Sequence, residues 1–166
     1  MHRSMPTCSH EELWAKSTGE LRARHDRKGF RHELPGALAY LAAHDAGRDT
    51  DLGAYLVGSH HGKLRVSAEV LPYERNADPP RTLGNQEGDL LPSVHLADGE
   101  ASPPTAITLA PFRVGTEDGS PTWVDRVTAL RDDAEYGPFR LAYLELIVRV
   151  ADWRASRIAA GSEKGV

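Results

Sequence analysis

The sequence contains almost no cysteine and no long apolar run. Cys8 is the only cysteine among 166 residues, so no intramolecular disulfide is possible and nothing points to a disulfide-rich exported protein. The longest apolar run, Leu141 to Val150, is interrupted by Glu145 and Arg149, and the first ten residues contain no apolar signal segment. We therefore expect a soluble, cytoplasmic protein with no membrane partner.

An excess of positive charge is also missing. The 20 lysines and arginines are outnumbered by 24 acidic residues, which gives a formal net charge of −4 and excludes nucleic-acid binding through a global positive field. Any binding of a polyanion must therefore be local. The one dense basic run, between Arg22 and Arg31, is either a solvated face or a patch that contacts phosphate. The length predicts one domain with a substantial core.

Apolar residues at helical spacing predict a mainly α-helical fold. A charged first helix is expected over Glu11 to Arg27, and Pro35 lies in the first turn of a second helix that runs to about His44. Helical spacing returns after Pro121. The segment from Tyr136 to Ser156 is the strongest predicted helix, and its nearly all-round apolar character is typical of a central element.

Two adjacent histidines end another predicted helix. Leu52, Tyr55, Leu56 and Ser59 follow a helical repeat that leads to His60 and His61, with Asp49, Thr50 and Asp51 as candidate N-caps and Gly62 as a stop. Neighbouring helical side chains diverge by about 100°, so each imidazole could reach a different metal ion. Two ions roughly 3.5–4 Å apart are typical of phosphodiester cleavage. Alternatively, the pair is a polar helix end that binds backbone and water.

The middle of the chain is irregular. Residues 72–122 are rich in proline, glycine and acidic residues. Residues 90–96 and 105–110 have the character of short strands, and the polar segment from Ala97 to Pro104 lies between them. These features predict an insertion that contains a small β-hairpin.

A polar stripe crosses the last predicted helix. Glu145, Arg149, Asp152 and Ser156 follow one another at steps of 4, 3 and 4 residues. Asp152 has three interpretations: it faces solvent, it pairs with Arg149, or it is an anionic ligand directed into a polar pocket.

Three segments together resemble the HD nuclease domain of the CRISPR-associated nuclease-helicase of type I systems. They are Phe30-Arg-His-Glu, the segment from Tyr55 to Lys63 that contains Gly-Ser-His-His-Gly-Lys, and the segment from Tyr136 to Ser156 that contains Ala-Asp-Trp-Arg-Ala-Ser. The stretch that begins Leu83-Gly-Asn-Gln-Glu-Gly-Asp resembles the insertion of the type I-G-like branch, in which the HD domain follows the helicase. The resemblance covers roughly Leu13 to Ser156 and implies an HD-type helical bundle.

This resemblance also implies a site and its partners. His32, His60, His61 and Asp152 correspond to catalytic and metal-binding residues, and Lys63 and Arg65 would contact substrate phosphate. The implied cofactor is one or more divalent ions, either magnesium or a transition metal such as manganese, cobalt, nickel or iron. The implied substrate is single-stranded DNA, and the implied partners are a CRISPR helicase subunit or domain and the effector complex.

One part of the family pattern has no counterpart here. The His-Asp dyad of HD nucleases ends an apolar helix in His-Asp-x-Gly-Lys, whereas His25-Asp26 is followed by Arg-Lys-Gly and has charged flanks. We expect His25-Asp26 to lie outside the site. Residues 1–166 are then a single HD-like domain that is incomplete at its N-terminus, with residues 1–10 frayed and core surface covered by a helicase or a second copy.

Loss of the dyad removes a bridging carboxylate, so we expect weak, metal-stimulated cleavage of single-stranded DNA or none. Two alternatives remain open at this point. The chain is a non-catalytic HD-like fragment that acts as an interaction module, or it is an HD-family phosphohydrolase that acts on nucleotides.

Overall fold

The structure is a computed structural model that describes residues 27–62, 64–68, 70–95, 101–113, 115 and 119–162. Most of the helix predicted over 11–27, together with His25-Asp26, lies outside these ranges.

The described residues form four α-helices and six two-residue strands: α1 Glu33–Ala43, α2 Arg48–Ser59, β1 Arg81–Thr82, β2 Asn85–Gln86, β3 Leu90–Leu91, β4 Val94–His95, β5 Ala101–Ser102, β6 Thr105–Ala106, α3 Trp123–Asp132 and α4 Gly137–Ser162. The predicted fold class, mainly helical with a small β insertion, is confirmed. No helix in the described ranges is long and apolar enough to span a membrane.

Helices α1 and α2 pack against each other and form one side of the core. Leu34, Ala37 and Leu38 of α1 are buried in the same apolar cluster as Ala54 and Tyr55 of α2. Helix α2 begins at Arg48, earlier than predicted, so the three N-cap candidates are wrong. Two of them, the aspartates, lie instead in the first turn, where the exposed backbone N–H groups favour negative charge.

Helix α3 closes the core from the other side. Its predicted inward residues Trp123, Val127 and Leu130 are all buried, as the spacing indicated. The indole N–H of Trp123 donates to the carbonyl oxygen of Arg65 at 2.8 Å. This bond fixes the chain segment that follows the paired histidines.

Helix α4 packs on α2 and α3 with its polar stripe directed inwards. Leu141 and Glu145 are buried and Asp152 is half-buried. Six large apolar side chains of the same helix are exposed: Phe139, Tyr143, Leu146, Ile147, Trp153 and Ile158. The prediction that α4 is a central element is therefore wrong for the described residues, because polar partners on α2 and on the segment after it determine which side of α4 faces the core.

The predicted hairpin in the insertion is confirmed. β3 pairs antiparallel with β6 and β4 pairs antiparallel with β5, so the two pairs are successive parts of one hairpin. Ile107 and Leu109, which follow β6, bury their side chains in the main core. The insertion is thus attached to the helices by apolar packing.

A second, unpredicted hairpin lies against the start of α1. β1 and β2 are joined by Leu83 and Gly84, both of which have positive φ angles. The buried carboxylate of Glu74 accepts hydrogen bonds from the backbone N–H groups of these two residues, at 3.1 and 2.6 Å. In turn, the carbonyl oxygen of Leu83 accepts from the N–H of Arg31 at 3.0 Å. The turn therefore holds the backbone one residue before His32.

Candidate metal centre

Three of the four predicted ligands converge in one place. His32 precedes α1, whereas His60 and His61 follow the last residue of α2, and each offers a ring nitrogen within 4.8 Å of the others. Within the described residues, these three histidines form the one group of three or more metal-ligating side chains that meets this distance. The packing of α1 on α2 brings the two chain segments together.

The predicted divergence of His60 and His61 is not observed. Their ring centroids are 4.0 Å apart, and the chain turns at these two residues. Gly62 closes this turn with a φ of +71°, a conformation that glycine adopts without steric cost. Its N–H donates to the Ser59 carbonyl oxygen at 2.6 Å. Both imidazoles consequently belong to the same site.

The positions of the ring nitrogens suit a shared ion. His32 Nε2 and His61 Nε2 are 3.1 Å apart. Two nitrogens at about 2.1 Å from one metal ion are roughly 3.0–3.4 Å apart, between octahedral and tetrahedral geometry. His60 Nδ1 lies 2.6 Å from the carbonyl oxygen of Val57, which accepts only, so Nδ1 carries the proton and Nε2 keeps its lone pair. Metal-binding histidines commonly make such a bond, and the cluster can hold a metal ion.

Electrostatics keep His61 in the neutral form. Burial lowers the pKa of its imidazole, and the neighbouring charge of His60 lowers that pKa further. The carboxylates of Glu33 and Asp152 act in the opposite direction without reversing the shift. A neutral imidazole is the form that binds metal, so the site is prepared for an ion at neutral pH.

The remaining predicted residues surround the cluster at different distances. Asp152 lies on α4 close enough for its charge to act on His61, but it is not a member of the three-residue group within the described ranges. Lys63 lies outside the described residues. Arg65 is ion-paired with Glu145, whose Oε2 lies 3.1 Å from Nε and 3.0 Å from Nη2 of the guanidinium.

Arg149 contacts the turn that carries the paired histidines and was not predicted as a site residue. Its Nε–H donates to the carbonyl oxygen of His60 at 3.1 Å. A Cβ atom built on Gly62 would lie 2.5 Å from Nη2 of Arg149 and 3.9 Å from Nη2 of Arg65. Two guanidinium groups thus flank the turn, and they also line a cavity of about 400 Å³. The signal in the sequence was the polar stripe, which placed Arg149 three residues before Asp152.

Glu33 is the second residue that the sequence interpretation missed. It follows His32 directly, is only 1% exposed, and has its Oε2 3.8 Å from His32 Nδ1. A glutamate in the first turn of a helix is ordinarily explained by the helix dipole. The sequence therefore offered no separate reason to assign Glu33 to the site.

Comparison of the chain with protein-family models, with curated proteins and with solved structures finds no match. The chemistry of the site is therefore inferred from its geometry.

Proposed function

We propose that the chain is a metal-dependent phosphodiesterase domain of the HD type, which cleaves single-stranded DNA in CRISPR interference. The observation that carries this proposal is the convergence of His32, His60 and His61, with two Nε2 atoms at ligand-to-ligand distance. The resemblance of the segments that contain these histidines to HD nucleases supplies the substrate class. The proposed ion is magnesium or a transition metal such as manganese, iron, cobalt or nickel, and imidazole ligands favour transition metals over magnesium.

A divalent ion at this position would supply Lewis-acid chemistry and activate water towards a phosphodiester. The chain's own groups have separate tasks. Asp152 adds the carboxylate of the site, facing His61 from α4. Arg149 and Arg65, beside Gly62, suit a phosphate because a guanidinium presents paired N–H donors to two oxygens.

Substrate binding of this kind is local, in agreement with the acidic net charge of the chain. The cavity beside the cluster combines Arg65, Arg131 and Arg149 with the apolar side chains of Leu141 and Leu146. Such a lining accommodates both a phosphate and the apolar face of a nucleotide base. The proposed path of the strand runs along this cavity, whose lining includes Arg149, the residue that donates to the carbonyl oxygen of His60.

A partner is part of the proposal. Six large apolar side chains of α4 are exposed, and a CRISPR helicase subunit or domain, with its effector complex, is the proposed partner that covers them. The same surface favours the second candidate function, a non-catalytic HD-like interaction module. Metal-dependent cleavage separates the two, because a non-catalytic module does not cleave DNA even when it holds an ion.

The test is calorimetric titration of the full chain with Mn²⁺, alongside a cleavage assay on single-stranded DNA. We expect one ion to bind weakly and cleavage to be slow and dependent on that ion, because the bridging carboxylate of the HD dyad has no counterpart. His61→Ala should abolish ion binding. Asp152→Ala should weaken it less, because Asp152 lies outside the group of nitrogens that share the site.

His44→Ala is the matched control. This histidine is exposed, stacks on Tyr40 and lies outside the cluster, so its removal should leave ion binding unchanged. Failure of the wild-type chain to bind any divalent ion would contradict the proposed function and favour the interaction module. Tight binding of two ions with rapid cleavage, unaffected by Asp152→Ala, would contradict the ligand assignment.

A further inference from the structure

Three glutamates are buried in the described residues, and only one of them lacks a hydrogen-bond partner there. Glu74 accepts from the backbone N–H groups of Leu71, Leu83 and Gly84. Glu145 accepts from the hydroxyl of Tyr55 and from the guanidinium of Arg65. By contrast, both carboxylate oxygens of Glu33 are buried without any hydrogen bond from the described residues.

Such an arrangement is costly without a compensating role. A buried carboxylate that accepts no hydrogen bond loses its hydration and gains nothing in exchange. Folding alone would favour an apolar side chain at position 33, since the side chain of this first residue of α1 is buried. The presence of this carboxylate is therefore best explained by an interaction with a neighbouring group.

The nearest candidate is the imidazole of His32. Glu33 Oε2 is 3.8 Å from His32 Nδ1, slightly beyond hydrogen-bond length, while His32 Nε2 points to His61 on the other side of the ring. The His32 side chain is 41% exposed, and a shift of less than about 1 Å between the two groups would bring Nδ1 within hydrogen-bond distance of Glu33 Oε2.

We propose that Glu33 is a positioning residue for the metal centre, an inference that rests on the proposed function. Its carboxylate accepts the Nδ1 proton of His32, which fixes the tautomer that leaves the Nε2 lone pair for the ion. It also places a carboxylate near a site whose three converging ligands are imidazoles, which bind a metal ion in their neutral form. Carboxylates in this position behind a ligating histidine orient the ring and raise its basicity.

The decisive variant is Glu33→Met, which removes the charge and the acceptor but keeps an unbranched side chain of similar size. We expect Mn²⁺ affinity to fall by about 10- to 100-fold. The melting temperature of the metal-free protein, measured with a chelator present, should stay the same or rise, because the carboxylate accepts no hydrogen bond in the described structure. Glu33→Gln keeps an oxygen acceptor for Nδ1–H and should recover part of the affinity.

Glu145→Gln is the matched control, because it alters another buried glutamate that is fully partnered. It should lower the melting temperature and leave Mn²⁺ affinity unchanged, the reverse of Glu33→Met. Nitrogen NMR of the His32 ring gives an independent readout: the Nδ1–H tautomer should predominate in the wild type and lose that predominance in Glu33→Met.

The possible failures are distinguishable. Ion binding by the wild type with the same affinity in Glu33→Met would overturn the positioning role and leave the proposed function intact. A large loss of metal-free stability in Glu33→Met, with affinity unchanged, would assign Glu33 to the fold. Absence of ion binding in the wild type would overturn both proposals together.

Discussion

Helices α1 and α4 are both rich in apolar residues but pack in opposite ways. Helix α1 buries Leu34, Ala37 and Leu38, and only its last two residues are exposed. Helix α4 directs Glu145 towards the body of the protein and exposes large apolar residues such as Phe139, which is 88% exposed. A count of apolar residues therefore does not decide which side of a helix is buried. In α4, hydrogen bonds to polar partners determine which side of the helix is buried.

These polar partners all belong to the region around the histidine cluster. Glu145 bonds to Tyr55 of α2 and to Arg65, and Arg149 bonds to the backbone of His60. Burial of a charged stripe is favourable only when its groups find partners, as they do here. Helix α1 packs mainly through apolar residues, with the buried Glu33 at its first position as the exception.

The largest expected difference between the two helices lies in the cost of truncating a leucine. Leu38→Ala on α1 removes a side chain that is 4% exposed and should reduce the free energy of unfolding by about 2–5 kcal/mol. Leu146→Ala on α4 removes one that is 56% exposed and should change it by less than about 0.5 kcal/mol. Urea denaturation measures both. An equally large loss in Leu146→Ala would show that the apolar side of α4 is covered in solution.

A smaller effect is expected from the polar attachment of α4. Glu145→Gln weakens the bond from the Tyr55 hydroxyl and should cost about 1–3 kcal/mol, since that hydroxyl lies in a buried environment. The pair with Arg65 adds little, because the arginine side chain is 55% exposed. Tyr55→Phe and the double variant complete a thermodynamic cycle by chemical denaturation. Additive losses would show that the two groups do not interact.

The smallest expected effect is on the pH dependence of stability and arises from His61, which lies in the region where α4 finds its polar partners. The pKa of His61 is lower in the folded protein than the unfolded value of about 6.5, mainly through burial. The unfolded chain therefore binds more protons near pH 6, and the metal-free protein should gain stability as pH rises from about 5.5 to 7. Thermal unfolding with a chelator, compared with His61→Gln, measures this slope. An unchanged slope in the variant would assign the dependence to other groups.

Much of the fold followed from local signals. The spacing of Trp123, Val127 and Leu130 predicted the buried side of α3, and the polar turn between two short apolar segments predicted the hairpin of the insertion. Both depend on neighbours in sequence, which a single chain displays directly. The start of α2 was predicted less accurately, since Asp49, Thr50 and Asp51 suit the N-cap of a helix and the two aspartates also suit its first turn.

The site was predictable in part. The three histidines came from motifs and converge as expected, whereas Glu33 and Arg149 were missed because their roles depend on contacts between separate segments. The orientation of α4 was missed for the same reason. A helix that is apolar over most of its circumference contains no local signal that its polar residues will find partners 80 or 90 residues away.

The turn at Leu83 and Gly84 has a consequence for how this chain tolerates change. A Cβ atom built on Gly84 would lie 2.4 Å from the Cα of Phe30, and Asn85 donates to the Arg31 carbonyl oxygen at 3.1 Å. Insertions between helices usually accept mutation and deletion freely, because they run over the surface. Here the insertion packs against the backbone that precedes His32 and hydrogen-bonds to it, which fixes the position of that backbone. Shortening it, or placing any side chain at position 84, would therefore displace an imidazole that lies more than 50 residues earlier in the chain.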